Sequence, residues 1–73
     1  MRLRFDIKGI DCPHCALKLE KMIKDKFENA VINFAASSLV IDAKDTLCEE
    51  DVFKISSDIA FNFDSNVKIS LRD

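Results

Sequence analysis

The chain has 73 residues, which is room for one small domain, residues 1–73, and no second. With 48% apolar and 33% charged residues, it is neither disordered nor collagen-like. The formal charge of -2 argues against a dedicated nucleic-acid binder, which carries a basic excess. No apolar run approaches the roughly 18 residues of a membrane span. The opening MRLRFDIKGI lacks the apolar block of a secretion signal. These features predict a cytoplasmic domain, tethered to a membrane only through further chain.

Leu3, Phe5 and Ile7 alternate with Arg4, Asp6 and Lys8, the pattern of a half-buried strand running from Arg2 to Ile10. Gly9, the only glycine, is able to take backbone angles that other residues avoid. Pro13 suits the first position of a helix, where its missing N–H costs nothing. Ala16, Leu19, Met22, Ile23 and Phe27 recur at helical spacing, and Asn29 is the expected stop. Residues 30–34 and 39–41 read as two strands joined across Ala35-Ala36-Ser37-Ser38. Thr46 and Glu49 have capping-box spacing and are expected to open a second helix. Its apolar positions are Val52, Ile55 and Ile59, with Phe53 unassigned. Val67, Ile69 and Leu71 alternate with Lys68 and Ser70 in a last strand. The order is βαββαβ. It predicts an α+β, ferredoxin-like sandwich: a four-stranded antiparallel sheet with two helices on one face.

Three cysteines exclude a fully paired disulfide framework. Cys12 and Cys15 form a Cys-x-x-Cys, and Cys48 stands apart. In a reducing compartment this pattern points to metal binding or thiol chemistry. If Pro13 is the first helical residue, Cys12 is the N-cap and both sulfurs face one point beside the helix N-terminus. The unpaired N–H groups and the helix dipole there favour thiolate. Two thiolates held together bind soft or borderline ions such as Cu(I), Zn(II) and Cd(II).

The stretch Gly9-Ile10-Asp11-Cys12-Pro13-His14-Cys15 resembles the Gly-Met-x-Cys-x-x-Cys motif of the heavy-metal-associated domain. That family comprises soluble metallochaperones and the N-terminal domains of heavy-metal P-type ATPases. Ala30-Val31-Ile32-Asn33-Phe34-Ala35 is similar to the family's second strand, so the resemblance covers essentially the whole chain. It implies that Cys12 and Cys15 are metal ligands and that Ile10 replaces the Met under the loop at nearly constant volume.

Cys-Pro-His-Cys is also similar to the active site of oxidising disulfide oxidases. That match is four residues long, and a thioredoxin-like fold uses a cis-proline beside its dithiol. The only proline here is Pro13, inside the motif. A thiol-disulfide oxidoreductase therefore ranks third.

Asp11 bears on the choice of ion. Two thiolates around Cu(I) already leave a net negative charge, and a carboxylate adds another. Around Zn(II) or Cd(II) the same three ligands leave only one, and carboxylate oxygen is a normal zinc ligand. Asp-Cys-x-x-Cys also resembles the zinc/cadmium/lead branch of the ATPases. The expected ligands are thus Cys12, Cys15 and Asp11, and the expected ion Zn(II) or Cd(II), with Cu(I) as the alternative. His14 is expected to face solvent, leaving a fourth position to water or a partner. Cys48 is placed at the far end of the domain, away from the pair.

Phe61 or Phe63 in the loop before the last strand resembles the ATPase domains more than the copper chaperones, which often place a lysine there. Both are also core candidates. Lys18, Lys21 and Lys24 read as a solvated helix face or, in the chaperone reading, a docking face for an acidic partner. The combined expectation is a monomeric, non-enzymatic domain that binds a metal ion and exchanges it by thiolate replacement. Its partner is the membrane-embedded part of a Zn(II)/Cd(II)/Pb(II) P-type ATPase or another metal-binding domain. It needs neither nucleic acid nor direct membrane contact. A free-standing Cu(I) metallochaperone or copper-ATPase domain is the alternative.

Overall fold

A computed structural model describes residues 1–71. The elements run β1 (Arg2–Lys8), α1 (Pro13–Lys24), β2 (Asn29–Asn33), β3 (Ser38–Asp42), α2 (Glu49–Phe63) and β4 (Lys68–Leu71). The four strands form one antiparallel sheet in the order β2-β3-β1-β4. This is the expected βαββαβ arrangement.

Alternation in β1 sends Phe5 and Ile7 into the core beside Leu39 and Ile41 of β3, Ala30 of β2 and Ile69 of β4. Leu19 and Ile23 of α1 and Val52 and Ala60 of α2 close over them. The ring of Phe5 meets that of Phe53 at 5.9 Å between centroids, so the unassigned Phe53 is a core contact. Both helices therefore lie on one face of the sheet. Val31 and Arg4 sit on the opposite, open face.

Several expected boundaries and packing positions shift. β1 ends at Lys8, so Gly9 and Ile10 belong to the loop. α1 stops at Lys24, not at Asn29. The Asp25 N–H still makes the regular bond to the Lys21 carbonyl at 3.1 Å, but the next carbonyls are taken up one residue early: Ile23 by Lys26 at 3.0 Å and Lys24 by Phe27 at 3.4 Å. Such tightened turns end a helix and turn the chain towards β2. Phe27 still packs against the core from that turn. Met22 is 39% exposed because its neighbour Ile23 takes the inward position.

In the second half, Thr46 does not cap α2. It lies inside a turn closed by the Leu47 N–H on the Lys44 carbonyl at 3.0 Å, so Cys48 becomes the N-cap, without a side-chain capping bond. Ile55 is 36% exposed, and Ser56 holds the inward position instead. Its hydroxyl donates to the Val52 carbonyl at 2.8 Å, which removes the cost of burying it. Leu71 is 54% exposed on the edge strand.

All of these core contacts are between protein side chains. The chain stripped of metal by a chelator should thus keep its helical circular dichroism and unfold cooperatively in urea. Phe5→Ala should lower its stability by about 3–5 kcal/mol. A random-coil spectrum for the stripped chain would contradict this.

Candidate metal centre

The loop from β1 to α1 turns at Gly9, which has φ +91. L-residues with a side chain rarely adopt this angle. A Cβ here would also collide with the carbonyl of Asn66 in the turn before β4. Ile10 follows, half-buried and packed on the core. Asp11 is exposed.

Cys12 is the N-cap of α1, with extended backbone, and Pro13 is the first helical residue. The Cys15 N–H donates to the Cys12 Sγ at 3.4 Å, and the two sulfurs lie 3.2 Å apart. Both cysteines are half-buried. A tetrahedral ion with metal–sulfur bonds of about 2.3 Å needs its sulfurs about 3.8 Å apart. Small side-chain rotations open the pair onto one ion, so the donor set fits a soft metal.

The two thiols are not equivalent. The Cys15 backbone N–H, and then the Cys15 thiol, hold the Cys12 thiol below its ordinary range; burial and the Asp11 charge oppose this. Cys15 is pushed up, first by holding the proton shared with Cys12, then by burial and by the Cys12 charge. Lys18 acts the other way on Cys15, and Asp11 adds to the rise. Cys12 thus loses its proton first, and the remaining proton sits on Cys15.

Among the described residues, no three His, Cys, Asp or Glu side chains gather as a metal-binding group. Asp11 acts on both thiols through its charge. His14 is exposed in the first turn of α1. Lys18, Lys21 and Lys24 are exposed along the same helix. Phe61 and Phe63, expected in the loop before the last strand, lie instead in the last turn of α2, which runs on to Phe63; Phe63 packs partly against the core, whereas Phe61 is 62% exposed.

Cys48 lies next to Leu47, which shares a cleft with Asp25 and Phe27 at the C-terminal end of α1. The 12 residues of α1 separate that end from Cys12, about 18 Å of helix. The Cys48 thiol donates instead to Asp51 at 3.1 Å.

The β2–β3 turn closes on β1 near this loop: the Ser37 carbonyl accepts from the Ile7 N–H at 2.9 Å. The residue that sequence reasoning missed is Asn66, against which Gly9 lies. The run Asp64-Ser65-Asn66, rich in turn formers, was the available signal.

No family model matches the sequence, and no curated protein does. Solved structures do match. One comes from work on crosstalk between Cu(I) and Zn(II) homeostasis, with a TM-score of 0.76 at 18% identity over 99% of this chain and 98% of that one. A second is the N-terminal domain of a potential copper-translocating P-type ATPase from Bacillus subtilis, solved in the Cu(I)-loaded state. It has a TM-score of 0.66 at 26% identity over 96% of this chain and 84% of that one. A third is a yeast copper transporter domain, solved in apo and Cu(I)-loaded states, with a TM-score of 0.69 at 8% identity over 99% and 94% of the two chains. The chain shares the ferredoxin-like βαββαβ fold of these structures along nearly its whole length.

The inequality of the thiols sets a pH dependence. Iodoacetamide at neutral pH should label Cys12 well ahead of Cys15, as read by peptide mass mapping. Cys15 labelling should catch up only as pH rises through its raised pKa. Equal rates at both cysteines would contradict the shared-proton arrangement.

Proposed function

We propose that this chain binds one soft metal ion between Cys12 and Cys15 and passes it to a partner by exchange of thiolate ligands. The observation that carries this reading is the sulfur pair at the N-terminus of α1, with its short separation and low-pKa Cys12. Metal uptake replaces the proton left on Cys15. Affinity therefore rises with pH until Cys15 is itself deprotonated. An incoming thiolate binds before the outgoing one leaves, so the ion is never free. No bond of an organic substrate is broken, and the chain acts as a binder.

Cu(I) is the ion we favour, ahead of the Zn(II) or Cd(II) suggested by Asp11. Two soft sulfurs with no third donor gathered beside them among the described residues suit Cu(I), which tolerates low coordination by thiolates. The 26% identical bacterial domain was solved with Cu(I). A divalent ion is the second reading, and it rests on the Asp11 carboxylate, whose charge reaches both thiols. The partner we infer is the transporter to which such a domain belongs, with a free-standing metallochaperone as the other setting. A monomer suffices for either.

The test is a competition titration of reduced protein with Cu(I) and with Cd(II). Native mass should show one ion per chain. Cys12→Ser and Cys15→Ser should each weaken Cu(I) binding on the order of 100-fold, and Cys48→Ser should leave it unchanged. Asp11→Ala should be neutral for Cu(I). A loss confined to Cd(II) on Asp11→Ala, with tighter Cd(II) than Cu(I) binding by the wild type, would favour the divalent reading. Binding of neither ion would overturn the proposal and turn attention to the redox potential of the pair.

A further inference from the structure

The loop that carries Cys12 is held by more than β1 and α1. At Gly9, the space where a side chain would begin is filled by the Asn66 carbonyl and the Val67 backbone. The metal loop therefore rests on the turn between α2 and β4. Any shift of that turn moves the support under Gly9.

Asp64 organises the turn. Its N–H donates to the Ala60 carbonyl at 3.0 Å, joining the turn to the end of α2. Its carbonyl accepts from the Val67 N–H at 2.9 Å, closing a four-residue turn. Its carboxylate accepts from the Asn66 N–H at 2.9 Å. An aspartate that bonds the backbone two residues on fixes the turn conformation locally. Here the carboxylate fixes the Ser65–Asn66 peptide, and the Asp64 carbonyl holds the N–H of the next one, whose Asn66 carbonyl faces Gly9. Val67 is buried on the other side, so the turn has no room to recede into the core.

We propose that Asp64 is a positioning residue of the metal centre. Through Asn66 it sets the place of Gly9, and so the line along which Cys12 approaches the N-terminus of α1. The proposal rests on the reading of Cys12 and Cys15 as ligands. Asp64 touches neither sulfur. Cys15 is held by α1 itself, so loss of the carboxylate acts mainly on Cys12 and loosens one sulfur relative to the other.

The experiment compares wild type, Asp64→Ala, Asp64→Asn and the exposed α2 control Asp58→Ala. Cu(I) and Cd(II) affinities are measured on reduced protein, and amide hydrogen exchange on the metal-free chain. Asp64→Ala should weaken ion binding about tenfold, the lower end of what outer-sphere changes cost. It should speed exchange at residues 9–12 and leave Ala43 and Leu47 at the far end unchanged. Asp64→Asn keeps an acceptor oxygen and should restore both readouts. Asp58→Ala should change neither. Wild-type affinity and exchange in Asp64→Ala would overturn the proposal. So would faster exchange spread over the whole chain, which would mean that Asp64 only stabilises the fold. If the wild type bound neither ion, the metal reading would fail, and the exchange at residues 9–12 would still decide whether Asp64 places the loop.

Discussion

A thiol caps the first helix, and the chemistry of the domain turns on that substitution. The usual caps are Ser, Thr, Asp and Asn, whose oxygen satisfies an otherwise unpaired N–H. Sulfur accepts more weakly. Here the Cys12 Sγ takes the Cys15 N–H at 3.4 Å. The helix therefore gains little from its cap, and a free helix of 12 residues is marginal in water. Its stability must come from packing Ala16, Leu19 and Ile23. Because the fold does not lean on the sulfur, the sulfur is free to give up its proton and, in the proposed function, to take an ion. The same N–H that gives a poor cap gives a good thiolate.

Packing and exchange occupy different parts of the molecule. The core lies between the sheet and the two helices and is complete without Cys12 or Cys15. At one end, the loop that carries the sulfur pair rests on the α2–β4 turn at Gly9, and the β2–β3 turn closes on Ile7. At the other, the N-terminal amine bonds the Ala43 carbonyl at 2.6 Å and pairs with Asp45 at 3.1 Å. The sheet joins the two ends. His14 and Leu17 are exposed beside the half-buried cysteines, so the sulfur pair is open to approach from solvent.

Much of this was legible in the sequence because two simple periods dominate it. Alternation at Leu3, Phe5 and Ile7 and helical spacing at Ala16, Leu19 and Ile23 fixed the first half of the fold. Pro13 located the helix start, and with it the cap at Cys12. The second helix was harder. Ser56 takes an inward position that polarity alone assigns to solvent, because the hydroxyl finds the Val52 carbonyl. Thr46 carried a plausible capping pattern, but tertiary context closed a turn around it. At the site, the spacing of Cys12 and Cys15 was enough to bring them together. The support of Gly9 by Asn66 joins residues far apart in the chain, and no local pattern reveals such a contact. Asp11 pointed to a divalent ion through charge counting; its charge reaches both thiols, while among the described residues no group of three donors is gathered.

The most direct measurement is X-ray absorption at the copper edge of the Cu(I)-loaded, fully reduced protein, repeated on Cys48→Ser. The account predicts a first shell of two sulfurs, unchanged in Cys48→Ser and lost as a pair when Cys12 and Cys15 are both replaced. A shell dominated by nitrogen or oxygen, or one that depends on Cys48, would contradict the claim that the sulfur pair at the N-terminus of α1 holds the ion.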